Sequence, residues 1–228
     1  MESTCPFHPQ AGGPVFPDPE HQLNMIYEGS DAYESKRKQK LTAREINAVI
    51  PATPKYLKWS EAPITFDRAD HPDHIPHPGR YPLVLDPIVR MIKLNRVLID
   101  GGSGLNILFA KPLDDMKIPR SELKRSSAPF HGVIPGTSAT PLGTIKLPVM
   151  FGSRENFRTE DISFEVTNFE AAYHAILGRS AIAKFMAVPH YTYMMMKLPG
   201  PNGIISLWGD VRRSHKCDQE SCTLVENI

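Results

Sequence analysis

Residues Arg96 to Phe109 read RVLIDGGSGLNILF, and the rest of the chain is best interpreted outward from this stretch. A run of apolar, mostly β-branched residues leads to Asp100, and Gly101, Gly102 and Gly104 follow closely. Such a run predicts a short strand that brings its last side chain to the rim of a sheet. The glycines permit a sharp turn and leave open space around the carboxylate. Because a carboxylate in such a turn is typical of a functional site, we take Asp100 as the candidate site residue.

Length and composition limit the classes of protein that this chain can represent. Its 228 residues predict one domain with appendages or two small domains. The hydrophobic share of 41% supports a modest core, and 22 prolines predict extended, loop-rich segments. The net charge of +1 provides no global basic field, so a nucleic acid partner is not expected unless a local patch binds it.

The cysteines and the apolar runs indicate the compartment. Cys5, Cys217 and Cys222 lie only at the two ends, which is no disulfide framework and favours a reducing environment. The N-terminus lacks the basic and apolar regions of a signal peptide, and no run approaches 18 apolar residues. We therefore expect a soluble intracellular protein, cytoplasmic or nuclear, without a membrane partner.

The N-terminal third differs in composition from the rest. Residues 1–40 are rich in proline, glycine and charge, which predicts disorder. Residues 41–80 are interpreted as a Pro/His-rich linker, with a short helix that begins at a capping box from Thr42 to Glu45 and ends before Pro51. The basic run at 36–40 is interpreted as solvated; RNA binding through it would weaken steeply with salt.

Three histidines in the linker raise the question of a metal. His71, His74 and His77 recur every third residue among prolines, which favours a polyproline II conformation. Its rise of ~3.1 Å per residue separates them by roughly 9 Å, too far for a shared zinc ion. No metal site is predicted, and Trp59 and Phe66 are expected, with Ile64, to anchor the linker to the later domain.

From residue 81 to 210 the pattern predicts a mainly β domain with one or two short helices. Apolar strand-like runs are predicted at 83–85, 88–94, 97–99, 105–109, 130–133, 144–151, 162–166, 175–178, 191–198 and 204–208. Residues 130–133 and 144–151 are interpreted as hairpin arms joined by a loop at 134–143. A helical turn is predicted at 113–116, and a short helix from Ser180, its N-cap, to Met186. Residues 211–228 form a polar tail.

Two chemistries fail on spacing. A dinucleotide loop would need a third glycine where Ile107 stands and a following βαβ unit. A serine hydrolase elbow at Ser103 would need a further glycine and a doubly wound sheet, and nothing positions His131 or His174 as its base. No cofactor is therefore expected.

Acid–base catalysis by paired carboxylates fits better but needs two copies. Hydrolysis of an amide by water requires one ionised and one protonated carboxyl close together. Asp210 follows an apolar run but has no glycine turn after it, so Asp100 is the only aspartate in such a setting. A two-fold homodimer could place Asp100 of each subunit across the axis.

The segment from about Tyr81 to Leu198 resembles the retropepsin-like aspartic protease domain of plant gypsy-type long-terminal-repeat retrotransposon gag-pol polyproteins. The resemblance rests on three motifs, at residues 97–103, 141–145 and 173–179, and on the linker that precedes them. It covers about half of the chain. It implies a closed β-barrel, a homodimer with the active site on its axis, a polypeptide substrate and a flap over the site.

The resemblance also implies roles for individual residues. Asp100 would be catalytic, in an active-site loop with Gly101, Gly102 and Ser103. The flap would lie at about 131–138, and an apolar-apolar-Gly motif would support the loop. The flap residues are His131, Gly132, Val133, Ile134 and Gly136, and the supporting residues are Ile176, Leu177 and Gly178. Cys5 to His8 is similar to the opening of a zinc knuckle, but the remaining ligands are absent and no metal is inferred.

Gly101 supports a second hypothesis. Related domains carry threonine or serine after the aspartate, whose hydroxyl bonds across the dimer, and Gly101 lacks it. The alternative to a homodimeric endopeptidase is a catalytically inactive domain of the same fold, from a degenerate element, that acts at most in binding or dimerisation.

Overall fold

Strands dominate the computed structural model, which describes residues 58–126, 130–134, 137–139 and 141–226 and the isolated positions 37, 40, 41 and 44. Within these residues the strands are β1 (Val84–Leu85), β2 (Ile88–Val89), β3 (Ile92–Lys93), β4 (Val97–Ile99), β5 (Ile107–Phe109), β6 (Phe130–Ile134), β7 (Thr137–Ala139), β8 (Gly143–Gly152), β9 (Phe157–Thr167), β10 (Ala175–Leu177), β11 (Val188–His190), β12 (Met195–Gly200) and β13 (Gly203–Trp208). The α-helices are α1 (Ala110–Asp115), α2 (Arg179–Lys184) and α3 (Val211–Glu226). Of residues 1–40, which were predicted to be disordered, only Arg37 and Lys40 are described, and both are helical; most of the helix predicted from Thr42 also lies outside the described residues.

Eight strands form one curled sheet in the order β1-β4-β10-β5-β9-β8-β2-β3. β1 lies at one end of this order and β2 near the other, yet only Asp86 and Pro87 separate them in the chain. The sheet must therefore curve strongly between these strands. It confirms the prediction of a mainly β, barrel-like fold, with β1 and β3 as the edge strands of this sheet in the described residues.

The core lies inside the curled sheet. On β8 the side chains of Ile145, Leu147, Val149 and Phe151 are buried, while the residues between them are half-buried or exposed. This period-two pattern is that of a strand with one face in the core. The same cluster takes in side chains from β1, β4, β9, β10, α1 and α2, such as Leu85, Ile99, Phe164, Leu177, Leu113 and Ala181.

A smaller sheet, β11-β12-β13, carries the segment that precedes the barrel. Lys197 on β12 donates to the carboxylate of Asp70 at 2.6 Å and to the carbonyl of Thr65 at 2.9 Å. Both charged side chains of this pair are only 11% exposed. The guanidinium of Arg158 on β9 lies 4.7 Å from the ring centroid of Trp59. We call residues 58–81 the arm.

Four local predictions differ from the structure. β6 pairs with β7, which lies inside the predicted loop 134–143, and β8 pairs with β9, which is twice as long as predicted. Residues 191–194 form a turn, so that β12 begins only at Met195. α2 begins at Arg179 with Gly178 as N-cap, because the Ser180 hydroxyl instead accepts a hydrogen bond from the side chain of Asn106.

Most of the polar tail forms the helix α3. Asp210 caps its first turn by accepting a hydrogen bond from the backbone N–H of Arg213 at 2.8 Å. Cys217 is buried, and Glu220 pairs with Arg96, which precedes β4. The helix has no long apolar run, and it is attached to the rest of the domain by the buried Cys217 and the ion pair with Arg96.

Metal-binding clusters and membrane-spanning helices are both absent from the described residues. The part of the chain that the structure describes contains no group of three or more histidine, cysteine or carboxylate side chains placed to hold a metal ion. In the same residues, no helix combines the length and the apolar character needed to cross a membrane.

Candidate active site

Asp100 directly follows β4, where the strand ends at the rim of the barrel. Its backbone N–H donates to the carbonyl of Leu177 at the end of the neighbouring strand β10, at 2.9 Å. Its half-buried carboxylate accepts a hydrogen bond through Oδ1 from the N–H of Gly102, at 2.8 Å. The glycine turn therefore bends the chain back so that one of its own amides orients the acid.

The topology forces the loop after Asp100 to cross the end of β10. β4 and β5 are consecutive in the chain, but β10 lies between them in the sheet. A Cβ at Gly178, the residue after β10, would lie 2.3 Å from the carbonyl oxygen of Leu105 and 2.7 Å from that of Ser103. No side chain fits there, so glycine is required for the loop to pass over the strand.

Asn106 fixes the far end of this loop. Its side-chain Oδ1 accepts from the N–H of Gly178 at 3.0 Å, and its Nδ2 donates to the carbonyl of Ser163 and to the hydroxyl of Ser180, at 3.0 and 2.9 Å. Asn106 is 7% exposed, so these bonds are made away from water. One buried amide thus ties the loop to β9, β10 and α2.

Ser103 shapes the loop: its backbone N–H donates to the carbonyl of Asp100 at 3.2 Å, while its hydroxyl bonds to Leu105 and not to the Asp100 carboxylate. Its hydroxyl donates to the carbonyl of Leu105 at 2.9 Å and accepts from the N–H of the same residue at 3.2 Å. Its carbonyl accepts from the N–H of Arg179 at 2.8 Å. In the described residues the Ser103 hydroxyl is therefore bonded to the backbone of Leu105 and not to a base that could activate it as a nucleophile.

His174 lies at the wrong end of the barrel for a serine hydrolase. It precedes β10, whereas Asp100 and Ser103 adjoin the opposite end of the same three-residue strand, roughly 10 Å away at ~3.3 Å per residue. Burial lowers the pKa of His174 from its ordinary value, so the ring is neutral near neutral pH. It contributes to packing at the base of the strand.

Tyr191 contacts the loop from the smaller sheet. Its hydroxyl oxygen accepts a hydrogen bond from the N–H of Gly101 at 3.1 Å. A Cβ built on Gly101 would lie 3.2 Å from that oxygen, so the tyrosine hydroxyl occupies the space beside the glycine.

An open pocket of about 410 Å³ lies at Asp100. Its walls are largely apolar, with Leu98 and Ile99 from β4 and Leu83 before β1, and Tyr191 closes one side. A cleft of this size with one carboxylate and apolar walls is suited to an extended apolar chain beside an acid.

The predicted flap is described only as backbone. β6 and β7 pair antiparallel from Phe130 with Ala139 to Ile134 with Thr137, and the register shifts between His131 and Ile134. His131, Gly132, Val133 and Ile134 lie on β6, and Gly136 lies outside the described residues. The predicted supporting residues Ile176 and Leu177 lie on β10 beside β4, and Gly178 follows them.

Two residues of the site were missed by sequence reasoning. Asn106 had a local signal, because a polar residue that interrupts an apolar strand is usually a buried hydrogen-bonding group. Tyr191 had none, since its partner Gly101 lies 90 positions away in the chain.

No model of a protein family matches the chain, and no curated protein matches its sequence. Among solved structures, it is similar to the retroviral protease-like domain of Ddi1 from Leishmania major, with a TM-score of 0.43 and 14% identity over 57% of this chain and 94% of that one. It is also similar to a retropepsin-like aspartic protease from Rickettsia conorii, with a TM-score of 0.35 and 15% identity over 54% and 79% of the two chains.

Proposed function

We propose that this protein is an aspartic endopeptidase of the retropepsin type, active as a homodimer in which each subunit supplies Asp100. The observation that carries the proposal is the Asp100 carboxylate itself. It is half-buried at a strand end, oriented by the Gly102 N–H, and it opens into an apolar pocket. The remaining loop contacts hold this arrangement without adding a second acid.

The chemistry requires the second subunit. One ionised Asp100 takes a proton from water as the water oxygen attacks the peptide carbonyl, and the other, protonated Asp100 donates its proton to the carbonyl oxygen. The Asp100 that took the water proton then donates it to the nitrogen of the tetrahedral intermediate, the other Asp100 takes back a proton from one of its hydroxyls, and the C–N bond breaks as the carbonyl reforms. Two carboxyls that share one proton suit both roles at once, because both cannot ionise cheaply at short distance.

The substrate class follows from the shape of the pocket. Apolar side chains line the pocket next to the acid, among them the half-buried Pro82 and Leu98, which favours apolar side chains on either side of the cleaved bond. The finer assignment, a polyprotein of a plant gypsy-type retrotransposon as the natural substrate, rests on the sequence resemblance alone and is part of this proposal.

The test is the substitution Asp100→Asn, which keeps the shape and the Gly102 hydrogen bond but removes the acid. With a library of apolar peptides between acidic and neutral pH, we expect cleavage by the unaltered protein and a loss of about 100- to 10,000-fold in the variant. Asp73→Asn, an exposed aspartate of the arm, is the matched control and should leave activity unchanged. Cleavage that persists in Asp100→Asn, or a protein without activity, would contradict the proposal.

Gly101 favours a second candidate function, a non-catalytic domain that binds or dimerises. It has no side chain, hence no hydroxyl to bond across a subunit interface. The two candidates separate on the same assay with the solution mass beside it. A dimer without cleavage supports the second candidate, and a strict monomer that still cleaves excludes both.

A further inference from the structure

Tyr191 connects two parts of the molecule that are far apart in sequence. It lies in the turn between β11 and β12, is 39% exposed, and lines the same pocket as Asp100. Its hydroxyl accepts the hydrogen bond of the Gly101 N–H at 3.1 Å. The residue is therefore in contact with the peptide unit next to the acid, from an element outside the barrel sheet.

That peptide unit needs an external partner. Glycine restricts its own backbone less than any other residue, so Gly101 by itself does little to fix the turn that carries the Gly102 N–H to the carboxylate. The space where a side chain at position 101 would lie is taken by the tyrosine hydroxyl, 3.2 Å from the ideal Cβ position. The Tyr191 hydroxyl thus fills this space and also accepts the hydrogen bond of the Gly101 N–H.

The turn that carries Tyr191 is itself held in place. The N–H of Tyr193 donates to Nδ1 of His190 at 3.1 Å, and the two rings stack with centroids 3.9 Å apart. Phe66 and His71 of the arm pack against these rings, with centroids 4.9 Å from His190 and 5.1 Å from Tyr193. A tyrosine on such a braced turn can hold a partner at a fixed position.

We infer that Tyr191 is a positioning residue for the Asp100 loop, which it holds through the Gly101 N–H and which the arm supports through the aromatic rings of the turn. The inference rests on the proposed function for its effect on catalysis, but not for its effect on the loop. It does not make Tyr191 a catalytic residue, because the hydroxyl contacts the loop backbone and no reacting atom.

The first experiment is Tyr191→Phe, which removes one oxygen and keeps the ring. Measured by NMR in the full chain, the exchange of the Gly101 amide hydrogen should become several-fold faster. Cleavage of an apolar peptide should fall about fivefold in kcat with little change in KM, since an exposed hydrogen bond contributes modestly. Tyr81→Phe is the matched control, because it removes a hydroxyl from a half-buried tyrosine whose ring packs on His215, and both readouts should stay unchanged.

The second experiment tests whether the hydroxyl and position 101 share one space. Gly101→Ser should lower kcat in the unaltered protein, because its Cβ would crowd the tyrosine oxygen. In the Tyr191→Phe background that oxygen is gone, and the same serine should restore part of the lost activity. The double variant should therefore be more active than the product of the single effects predicts.

The outcomes separate the two proposals. Unchanged exchange at Gly101 in Tyr191→Phe, or exchange equally affected by Tyr81→Phe, overturns the positioning role whatever the activity. Faster exchange in a protein that cleaves nothing supports the positioning role and contradicts the peptidase. Effects of the serine and phenylalanine substitutions that simply multiply in kcat overturn the shared space.

Discussion

Glu165 carries a charge that the barrel accommodates poorly. It lies on β9 opposite Ile107 of β5, and its backbone N–H donates to the carbonyl of Asn106, the residue that fixes the loop after Asp100. One of its carboxylate oxygens is buried and has no hydrogen-bond partner within the described residues. Burial raises the pKa of Glu165, and a hydrogen bond with Ser126 offsets part of this effect.

The sign of the pH dependence follows from this raised pKa. The folded protein keeps the Glu165 proton to a higher pH than the unfolded chain, whose carboxyl titrates near 4.5. The contribution to stability is therefore complete below the unfolded pKa and is lost as the pH rises through the folded pKa. Glu165→Gln removes the titration. At pH 7 we therefore expect the free energy of unfolding, measured by urea unfolding, to be higher for the variant than for the unaltered protein. The difference should be less than about 1 kcal/mol because the side chain is partly solvated.

The difference should vanish near pH 4, where both proteins are neutral at this position. Glu170→Gln changes an exposed glutamate in the segment after β9. It serves as the control and should show no such trend. A gain in stability for Glu165→Gln that is the same at pH 4 and pH 7 would contradict the assignment to the buried carboxylate.

At the residue scale, sequence reasoning succeeds where a single residue type is required locally. Asp100 and Gly178 could be found because an acid before a glycine turn, and a glycine after an apolar strand, are each recognisable within a few positions. Tyr191 could not, because its role is a single hydrogen bond to a residue in another sheet. Ser103 was expected in the loop with Asp100, and its hydroxyl bonds within that loop, to the backbone of Leu105.

The arm is joined to β12 by an ion pair between Asp70 and Lys197. Its Asp70 receives the Lys197 ammonium at 2.6 Å, and this hydrogen bond lowers the pKa of the carboxyl. Lys197 is 8% exposed, so loss of the carboxylate would leave a charge with little water around it.

We expect Asp70→Ala to lower the melting temperature by about 5 °C or more, because Lys197 stays buried without its partner. Lys197→Met keeps the length of the side chain without the charge, and it should recover most of the loss when added to Asp70→Ala. Differential scanning calorimetry of the single and double variants measures this. Asp73→Ala, an exposed residue of the same arm, should be neutral; a double variant no more stable than Asp70→Ala would show that the arm is held by other contacts.

At the element scale, the predictions succeeded where apolar periodicity was undisturbed and failed where pairing decides. β8 alternates strictly and was found nearly in full. The predicted partner of β6 was wrong. Its partner in the structure is β7, a short polar run at 137–139 that has no apolar pattern and becomes a strand only by pairing. α3 was missed because its interactions are a cap, an ion pair and a buried cysteine rather than an apolar stripe.

The whole barrel was predicted more securely than any of its parts. Closely spaced short strands with few helices leave few ways to bury apolar faces. The sheet order itself was out of reach, since it depends on β10 pairing with two strands some 70 to 80 positions earlier.

The proposed homodimer makes a prediction for mixtures. If equal amounts of unaltered and Asp100→Asn chains are refolded together, random pairing gives about a quarter of the dimers with two copies of Asp100 and about half with one. Only about half of the unaltered chains then have an unaltered partner. The activity should therefore fall to about half of that of the same amount of unaltered protein refolded alone. Peptide cleavage measures this, and Asp73→Asn added in place of Asp100→Asn should raise the activity; an activity unaffected by Asp100→Asn would contradict a shared site.

The position of β10 between β4 and β5 also sets an order in time. Until residue 177 has left the ribosome, nothing can join those two strands, and the loop with Asp100 has neither the Leu177 carbonyl nor Gly178 to lie on. β12, which follows the turn bearing Tyr191, is made later still. A chain interrupted before these residues is thus left with an unassembled site, and the acid is set in place only after β10 and the turn that carries Tyr191 have been made.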